Sequence, residues 1–351
     1  MNEVTVSASK EYVVRIGSGL LPQIGKFAAA NTKHKKVTVI SDSNVWPLYG
    51  ITVESSLLDA GLDSCHFVFP AGESSKCADT YLRILNFLAQ QQLTRDDLLI
   101  ALGGGVVGDI TGFAAATYLR GISFIQLPTT LLAMVDSSVG GKTAIDLPAG
   151  KNLVGAFYQP DLVLCDIDTL TTLPSAVFRD GCAEIIKYAI LYDEVLFSHL
   201  QENGIDFDRE DVVTRCVQLK RDVVAQDEFD RGNRQLLNLG HTIGHGIEAC
   251  SNYEINHGAA VGMGIAIVSR AACAMGICSE DTTNKIDGLL KKFCLCTRTD
   301  FTADALFNCA LSDKKRSGGS VNLIVPRRIG QCMILATPIE QLKSFIEAGL
   351  N

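Results

Sequence analysis

Twelve cysteines occur in this chain, yet no two form a C-x-x-C pair, and Cys294 and Cys296 are the only close neighbours. That spacing argues against a cysteine zinc site and offers no disulfide framework. The opening Met1-Asn2-Glu3-Val4-Thr5-Val6 holds no apolar secretory core. The expectation is a cytoplasmic protein with reduced, mostly buried thiols. An excess of positive charge is missing as well. The 31 Lys and Arg against 39 Asp and Glu leave a formal net charge of −8, which removes any overall pull toward nucleic acid or an acidic membrane surface. A local field can still favour an anionic small molecule. The most apolar stretch, Gly258 to Gly276, carries Arg270 and many small residues, so a buried helix is expected rather than a membrane span. There is no internal repeat and no low-complexity tract. Gly140-Gly141-Lys142-Thr143 ends like a P-loop, but Asp136 stands where that motif needs glycine. Nucleoside triphosphatase chemistry is therefore excluded, while Lys142 remains a good contact for a phosphate or carboxylate.

What is present is globular: 47% hydrophobic and 20% charged residues over 351 positions, room for one large or two ordinary domains. Five apolar runs read as strands: Val37–Ser41, Cys65–Phe69, Leu98–Leu102, Ile122–Leu127 and Leu162–Asp166. Helical stretches such as Thr80–Gln91 lie between them, which predicts a parallel α/β sheet. After Pro174 the pattern becomes helical over Ala176–Leu191, Arg209–Asp227, Gly240–Cys250, Ala259–Met275, Asp281–Phe293 and Pro338–Ala348. A weak strand pair is possible at Val321–Val325 and Gln331–Leu335. The expected division is an α/β domain over 1–174 and a mainly helical one over 175–351, with the boundary placed to within about ten residues.

Leu98–Leu102 runs into Gly103-Gly104-Gly105-Val106-Val107-Gly108-Asp109, a G-x-G-x-x-G pattern opening the helix Thr111–Tyr118. Such glycines permit a tight turn and close approach to a pyrophosphate. The acidic residue usual about 20 positions later is absent; Leu127-Pro128-Thr129-Thr130 lies there, and Asp42 is an alternative ribose contact. A glycine-rich packing turn would show the same pattern. Half of the six histidines fall between 241 and 257: His241, His245 and His257. On a helix His241 and His245 share one face, which points to metal binding or acid/base chemistry.

These motifs occur in a fixed order. Gly103-Gly-Gly-Val-Val-Gly-Asp109, Leu127-Pro-Thr-Thr130, Asp136-Ser-Ser-Val-Gly-Gly-Lys-Thr143 and Gly150-Lys-Asn152 are followed by Ala183-Glu-Ile-Ile-Lys187, Asn238-Leu-Gly-His-Thr-Ile-Gly-His245, His257-Gly258 and Asp313-Lys-Lys315. The set resembles the 3-dehydroquinate synthase family, from about Val37 to Leu342. The resemblance implies a Rossmann-like NAD-binding α/β domain, a mainly α-helical metal-binding domain and an active site in the cleft between them. It implies a homodimer using NAD and one divalent metal, zinc or cobalt. The substrate would be 3-deoxy-D-arabino-heptulosonate 7-phosphate, and a lyase reaction would yield 3-dehydroquinate and phosphate.

Residue by residue, the resemblance makes Glu184, His241 and His257 the metal ligands and His245 a neighbouring proton-transfer or hydrogen-bonding group. Substrate cations would be Lys142, Lys151, Lys187, Lys220, Arg234 and one of Lys314 or Lys315, with Asn152 and Asn238 as polar partners. Arg120 would reach the phosphate from the neighbouring subunit. For NAD, Asp42 and Asn44 would meet the adenosine side, Glu73 and Lys76 the ribose, and Gly104, Gly105 and Val106 the pyrophosphate. Asp109, Thr129, Thr130, Asp136, Ser137, Thr169 and Thr172 would line the rest, with Lys142 and Lys151 touching cofactor as well as substrate. Three positions depart from the frequent pattern: Met134, Asp146 and Ala259. Ala259 removes an expected carboxylate and would loosen His257. Related cyclases making inosose or valiolone rings remain the nearest alternative, ahead of polyol dehydrogenases or a catalytically silent paralogue.

Overall fold

The computed structural model describes residues 1–31, 36–314 and 319–351, with the backbone alone at 31 and 311–314. In chain order, β1 (Asn2–Val6), β2 (Tyr12–Gly17), α1 (Ile24–Asn31), β3 (Lys36–Asp42), α2 (Trp46–Asp59), β4 (Asp63–Phe69), α3 (Ala78–Gln90), β5 (Leu98–Gly103), α4 (Gly105–Thr117) and β6 (Ser123–Pro128) come first. A hairpin of β7 (Lys142–Leu147) and β8 (Gly150–Phe157) follows, then β9 (Leu162–Asp166). The rest comprises α5 (Ser175–Tyr192), α6 (Glu194–Asn203), α7 (Arg209–Gln226), α8 (His241–Cys250), α9 (His257–Ala274), α10 (Glu280–Lys292), α11 (Ala303–Lys314), β10 (Ser320–Arg328), β11 (Gln331–Pro338) and α12 (Ile339–Leu350). Two compact units result: Met1–Pro174 with Arg209–Phe229, and Ser175–Asp208 with Asp230–Asn351.

The first unit is built on a seven-stranded sheet of order β1-β2-β9-β6-β5-β3-β4, parallel except for the β1–β2 pair. All of β5 is buried. Successive side chains of a strand point to opposite faces, so Leu98, Ile100 and Leu102 join one core and Leu99 and Ala101 the other. Helices α1 and α2 supply Ile24, Val53 and Leu57 to the first core; α3 and α4 supply Ile84, Leu88, Val107 and Ile110 to the second. Strand order reverses between β3 and β5, because β4 lies outside β3 while β5 lies on its other side. A crevice at the carboxyl ends of strands flanking such a reversal is where open α/β sheets bind ligands.

A single cut at 174 would leave α7 outside this unit, yet α7 packs on β1, β2 and the turn Ala133–Ser137. Asn2 donates to the Thr214 hydroxyl at 3.1 Å, and Glu228 accepts from the Ser9 amide at 2.7 Å.

In the second unit α5 and α9 are the central helices. Residues 181–191 of α5 are all buried. Among the described residues, α9 alone is long and apolar enough to cross a membrane, but 72% of it is buried inside the protein, as a core helix would be. Gly240, Gly244 and Gly264 set the spacing of α8 and α9. A Cβ on Gly264 would lie 2.1 Å from the Gly240 carbonyl oxygen, and one on Gly244 3.2 Å from Ala260. The motif glycines therefore let the two helices close without side chains between them.

Candidate active site

The first candidate group lies at the strand-order reversal. Asp42 ends β3, and its Oδ1 accepts from the amides of Asn44 and Val45 at 2.8 and 2.9 Å, fixing the turn into α2. The glycine loop ends β5 and starts α4. A Cβ on Gly104 would lie 3.1 Å from the Thr130 side chain, and one on Gly105 3.1 Å from Ser137 Oγ. The backbone here is thus kept bare at the first turn of a helix, where amides lack intrahelical partners. Gly108 has a packing role: its Cβ would lie 2.7 Å from Gln126 Oε1. Thr129 is 2% exposed, and its Oγ1 has no hydrogen-bond partner among the described residues. A buried unpaired hydroxyl costs free energy, so this atom fits a ligand acceptor or donor. Thr169 and Thr172 instead turn their hydroxyls inward, donating to the carbonyls of Asp166 and Thr169 at 2.8 and 3.0 Å.

Charged residues of this unit pair closely. Lys76, 4% exposed, binds Asp109 Oδ2 and Asn152 Oδ1, both at 2.5 Å. Burial raises the Asp109 carboxyl above its ordinary value, with Lys76 opposing. Lys151 lies 4.0 Å from Glu73. Lys220, carried on α7, donates to Asp136 Oδ1 at 2.5 Å and to the Asp136 carbonyl. Asn152 adopts a left-handed φ of 54°, and its amide donates to Asp146 Oδ1 at 2.7 Å. Asp146 thus secures the loop that presents Lys151 and Asn152. Lys142 opens β7 and is exposed. Arg120 is exposed in a turn where Leu119, Arg120 and Gly121 all have positive φ, at 51°, 67° and 126°.

The second group lies in the other unit. Glu184 of α5 is fully buried, and His241 and His257 are the first residues of α8 and α9. Their Nε2 atoms lie 3.7 and 3.5 Å from Glu184 Oε1. One ligand atom from each of the three can be chosen so that all lie within 4.8 Å of one another. His241 Nδ1 donates to the Leu239 carbonyl at 3.1 Å and His257 Nδ1 to Glu248 Oε2 at 3.4 Å. Both rings therefore offer Nε2 to a common point. One carboxylate and two imidazoles so arranged suit a divalent metal that keeps an open position. Burial, and next the Lys187 ammonium, lower His241 to about 3. Burial would also lower His257, but hydrogen bonds to Glu184 and Glu248 push it up to about 10.

Gly258 explains why His257 starts its helix here. A Cβ on it would lie 2.3 Å from the Asp180 backbone of α5, and Asp180 Oδ1 accepts the Ala259 amide at 3.2 Å. Glu184 is one turn beyond Asp180 on the same helix. Lys187, 1% exposed, pairs with Glu184 Oε2, and Arg234 is 2% exposed. The His245 ring centroid lies 5.6 Å from that of His241 and 6.0 Å from that of His257. Asn238 is exposed at the end of the 3₁₀ turn Asn233–Asn238. The Lys314 side chain and Lys315 lie outside the described residues.

A family model described as 3-dehydroquinate synthase N-terminal matches residues 66–180, and one described as 3-dehydroquinate synthase C-terminal matches 181–316. The chain is 44% identical over 347 residues to 3-dehydroquinate synthase of Enterococcus faecalis (strain ATCC 47077 / OG1RF), covering 97% of each. It is 44% identical over 351 residues to that of Pelobacter propionicus, covering 97% of this chain and 98% of the relative.

The chain belongs to the 3-dehydroquinate synthase family.

Among solved structures, a 2-deoxy-scyllo-inosose synthase complexed with carbaglucose-6-phosphate, NAD+ and Co2+ shares the fold at a TM-score of 0.89 and 23% identity, covering 98% of this chain and 99% of that one. A 2-epi-5-epi-valiolone synthase from Streptomyces hygroscopicus subsp. jinggangensis, with NAD+ and Zn2+ bound, matches at 0.87 and 27%, covering 98% of each. These are the rival cyclases of the sequence reading. They share the fold, while the relatives above 40% identity carry the 3-dehydroquinate synthase name. The α/β-plus-helical fold class expected of a 3-dehydroquinate synthase is therefore the one observed. One expectation changes. Ala259 does not leave His257 without a carboxylate, because Glu248 of α8 supplies one. Neither Glu248 nor Asp180 was singled out from sequence. The available signal was the position of Glu248, three residues after His245 on the same helix face.

Proposed function

We infer that this 3-dehydroquinate synthase family member converts 3-deoxy-D-arabino-heptulosonate 7-phosphate into 3-dehydroquinate and phosphate, on the shikimate route to aromatic amino acids. The observation that carries the reading is the convergence of Glu184, His241 and His257 on one point, in a chain matched over nearly its whole length by named relatives. NAD, when bound, would take a hydride from a substrate carbinol and return it within the same turnover, and a zinc or cobalt ion would acidify that hydroxyl. The net reaction is then that of a lyase.

The chain's own groups do the rest. Glu184, His241 and His257 would hold the metal. Gly104, Gly105 and Val106, with Thr129, Thr130 and Ser137, would cradle the cofactor, with Asp42 and Asn44 at its adenosine end. Glu73, Lys76, Asp109, Asp136, Thr169 and Thr172 complete that set, the last two through the turn they build. The substrate brings a phosphate and a carboxylate, so it needs several cations. Lys142, Lys151, Lys187, Lys220, Arg234 and Lys314 would supply them, with Asn152 and Asn238 as hydrogen-bonding partners. These groups would orient the substrate and hold the phosphate as it leaves by β-elimination. His245 would move a proton beside the metal ligands. Ring closure is an intramolecular aldol step that needs positioning more than a further catalyst. The working form would be a cytoplasmic homodimer in which Arg120 of a second copy completes the phosphate contacts.

The test is an assay of purified protein with catalytic NAD and zinc. Phosphate and 3-dehydroquinate are expected in equal amounts, with NAD not consumed and a chelator stopping turnover. Glu184→Ala is expected to abolish turnover and leave the fold intact. Full activity in that variant would overturn the metal assignment, and metal-loaded protein releasing no phosphate would overturn the substrate.

A further inference from the structure

We propose that Glu248 is a positioning residue for the metal centre, holding His257 in the tautomer and ring orientation that leaves Nε2 for the cation. The proposal rests on the metal site inferred above. Glu248 is 2% exposed, and its Oε2 lies 3.4 Å from His257 Nδ1. It stands on α8, seven residues after His241, so one helix supplies both a ligand and the brace for another ligand. The close packing at Gly244 brings the α9 terminus within reach of that carboxylate. The two imidazoles are anchored differently. His241 is held by a neutral carbonyl, Leu239 O, and His257 by a buried carboxylate. A carboxylate accepting from the far ring nitrogen makes the ligating nitrogen more basic.

The same carboxylate also belongs to a second possible ligand group, His245, Glu248 and His257. Using it together with the first group would require one imidazole to bridge two cations through both nitrogens. The bracing role needs no such bridge.

Zinc titration of the full-length protein against a competing chromophoric chelator separates these readings. Wild type is expected to bind one zinc per chain. Glu248→Ala is expected to bind it roughly 10–100-fold more weakly. Glu248→Gln should fall between, because its amide oxygen still accepts from Nδ1. Apo Glu248→Gln should unfold at the wild-type temperature, and its cobalt-loaded visible spectrum should differ from wild type; a purely structural residue would leave that spectrum unchanged. If Glu248→Ala fails to fold, the glutamine variant carries the test. Zinc affinity indistinguishable from wild type in the variants would overturn the proposal. So would two zinc ions per wild-type chain falling to one on substitution. Failure of wild type to bind zinc at all would instead remove the metal site itself, and the proposal with it.

Discussion

A methyl group on Gly258 would lie 2.3 Å from the backbone of Asp180, whereas one on Gly288 in α10 would meet nothing within 4 Å. The two positions should respond to alanine with opposite signs. Gly258→Ala overpacks a helix contact and is expected to cost about 1–3 kcal/mol. It also displaces the neighbouring His257, so zinc affinity should fall with stability. Gly288→Ala removes a flexible residue from a helix interior and is expected to stabilise by about 0.5–1 kcal/mol. Denaturant unfolding of both variants checks this; equal effects would show that space at Gly258 is not the constraint. The cysteines permit a second prediction. Burial pushes Cys182 and Cys332 up to about 12, and raises Cys165 too, whereas Cys294 and Cys296 are exposed. A thiol reagent should label Cys294 and Cys296 first and reach the buried Cys165 and Cys182 only after denaturation, as peptide mapping would show.

Helices legible in the sequence are those with caps and a clean apolar stripe. Helix α10 starts after Ser279, whose hydroxyl accepts the Thr282 amide at 3.2 Å, carries Glu280 and Asp281 in its first turn, and ends on Lys291 and Lys292. Ser279→Ala should cost about 1 kcal/mol in denaturant unfolding without changing turnover. The five strands and eight helices read from sequence are all present, as is the pair β10–β11. Several elements were missed, each for a physical reason of its own. Strand β8 is largely exposed and holds two glycines, so no alternation marks it. Helix α2 carries Pro47 in its first turn and Gly50 inside, both ordinarily breakers. Strand β1 is a short edge strand, and α6 begins at Glu194, separated from the end of α5 only by Asp193, whose side chain caps it. The candidate site was legible where residue type alone draws attention, as at Glu184, His241 and His257, whose side chains the fold brings together. It was illegible where a residue acts by contact, as at Glu248 and Asp180. Those contacts arise only when α5, α8 and α9 have packed.

At the scale of the whole molecule, α7 belongs with the first unit although both its chain neighbours belong with the second. The cations ascribed to substrate binding divide accordingly: Lys142, Lys151 and Lys220 in the first unit, Lys187 and Arg234 in the second. A fragment of residues 1–174 would lack the Lys220–Asp136 pair and the helix packed on β1 and β2. It is expected to be less stable than the corresponding part of the full chain, seen as faster cleavage in limited proteolysis. An equally resistant fragment would show that α7 adds nothing to that unit. The same connection sets a timetable for synthesis. Chains are made from the amino end at about 5–20 residues per second, and domains generally fold as units while they emerge. Here α7, which packs on β1 and β2, is made tens of residues and several seconds after the last strand of the sheet it completes. The ribosome thus releases α5 and α6 before the unit ahead of them can close.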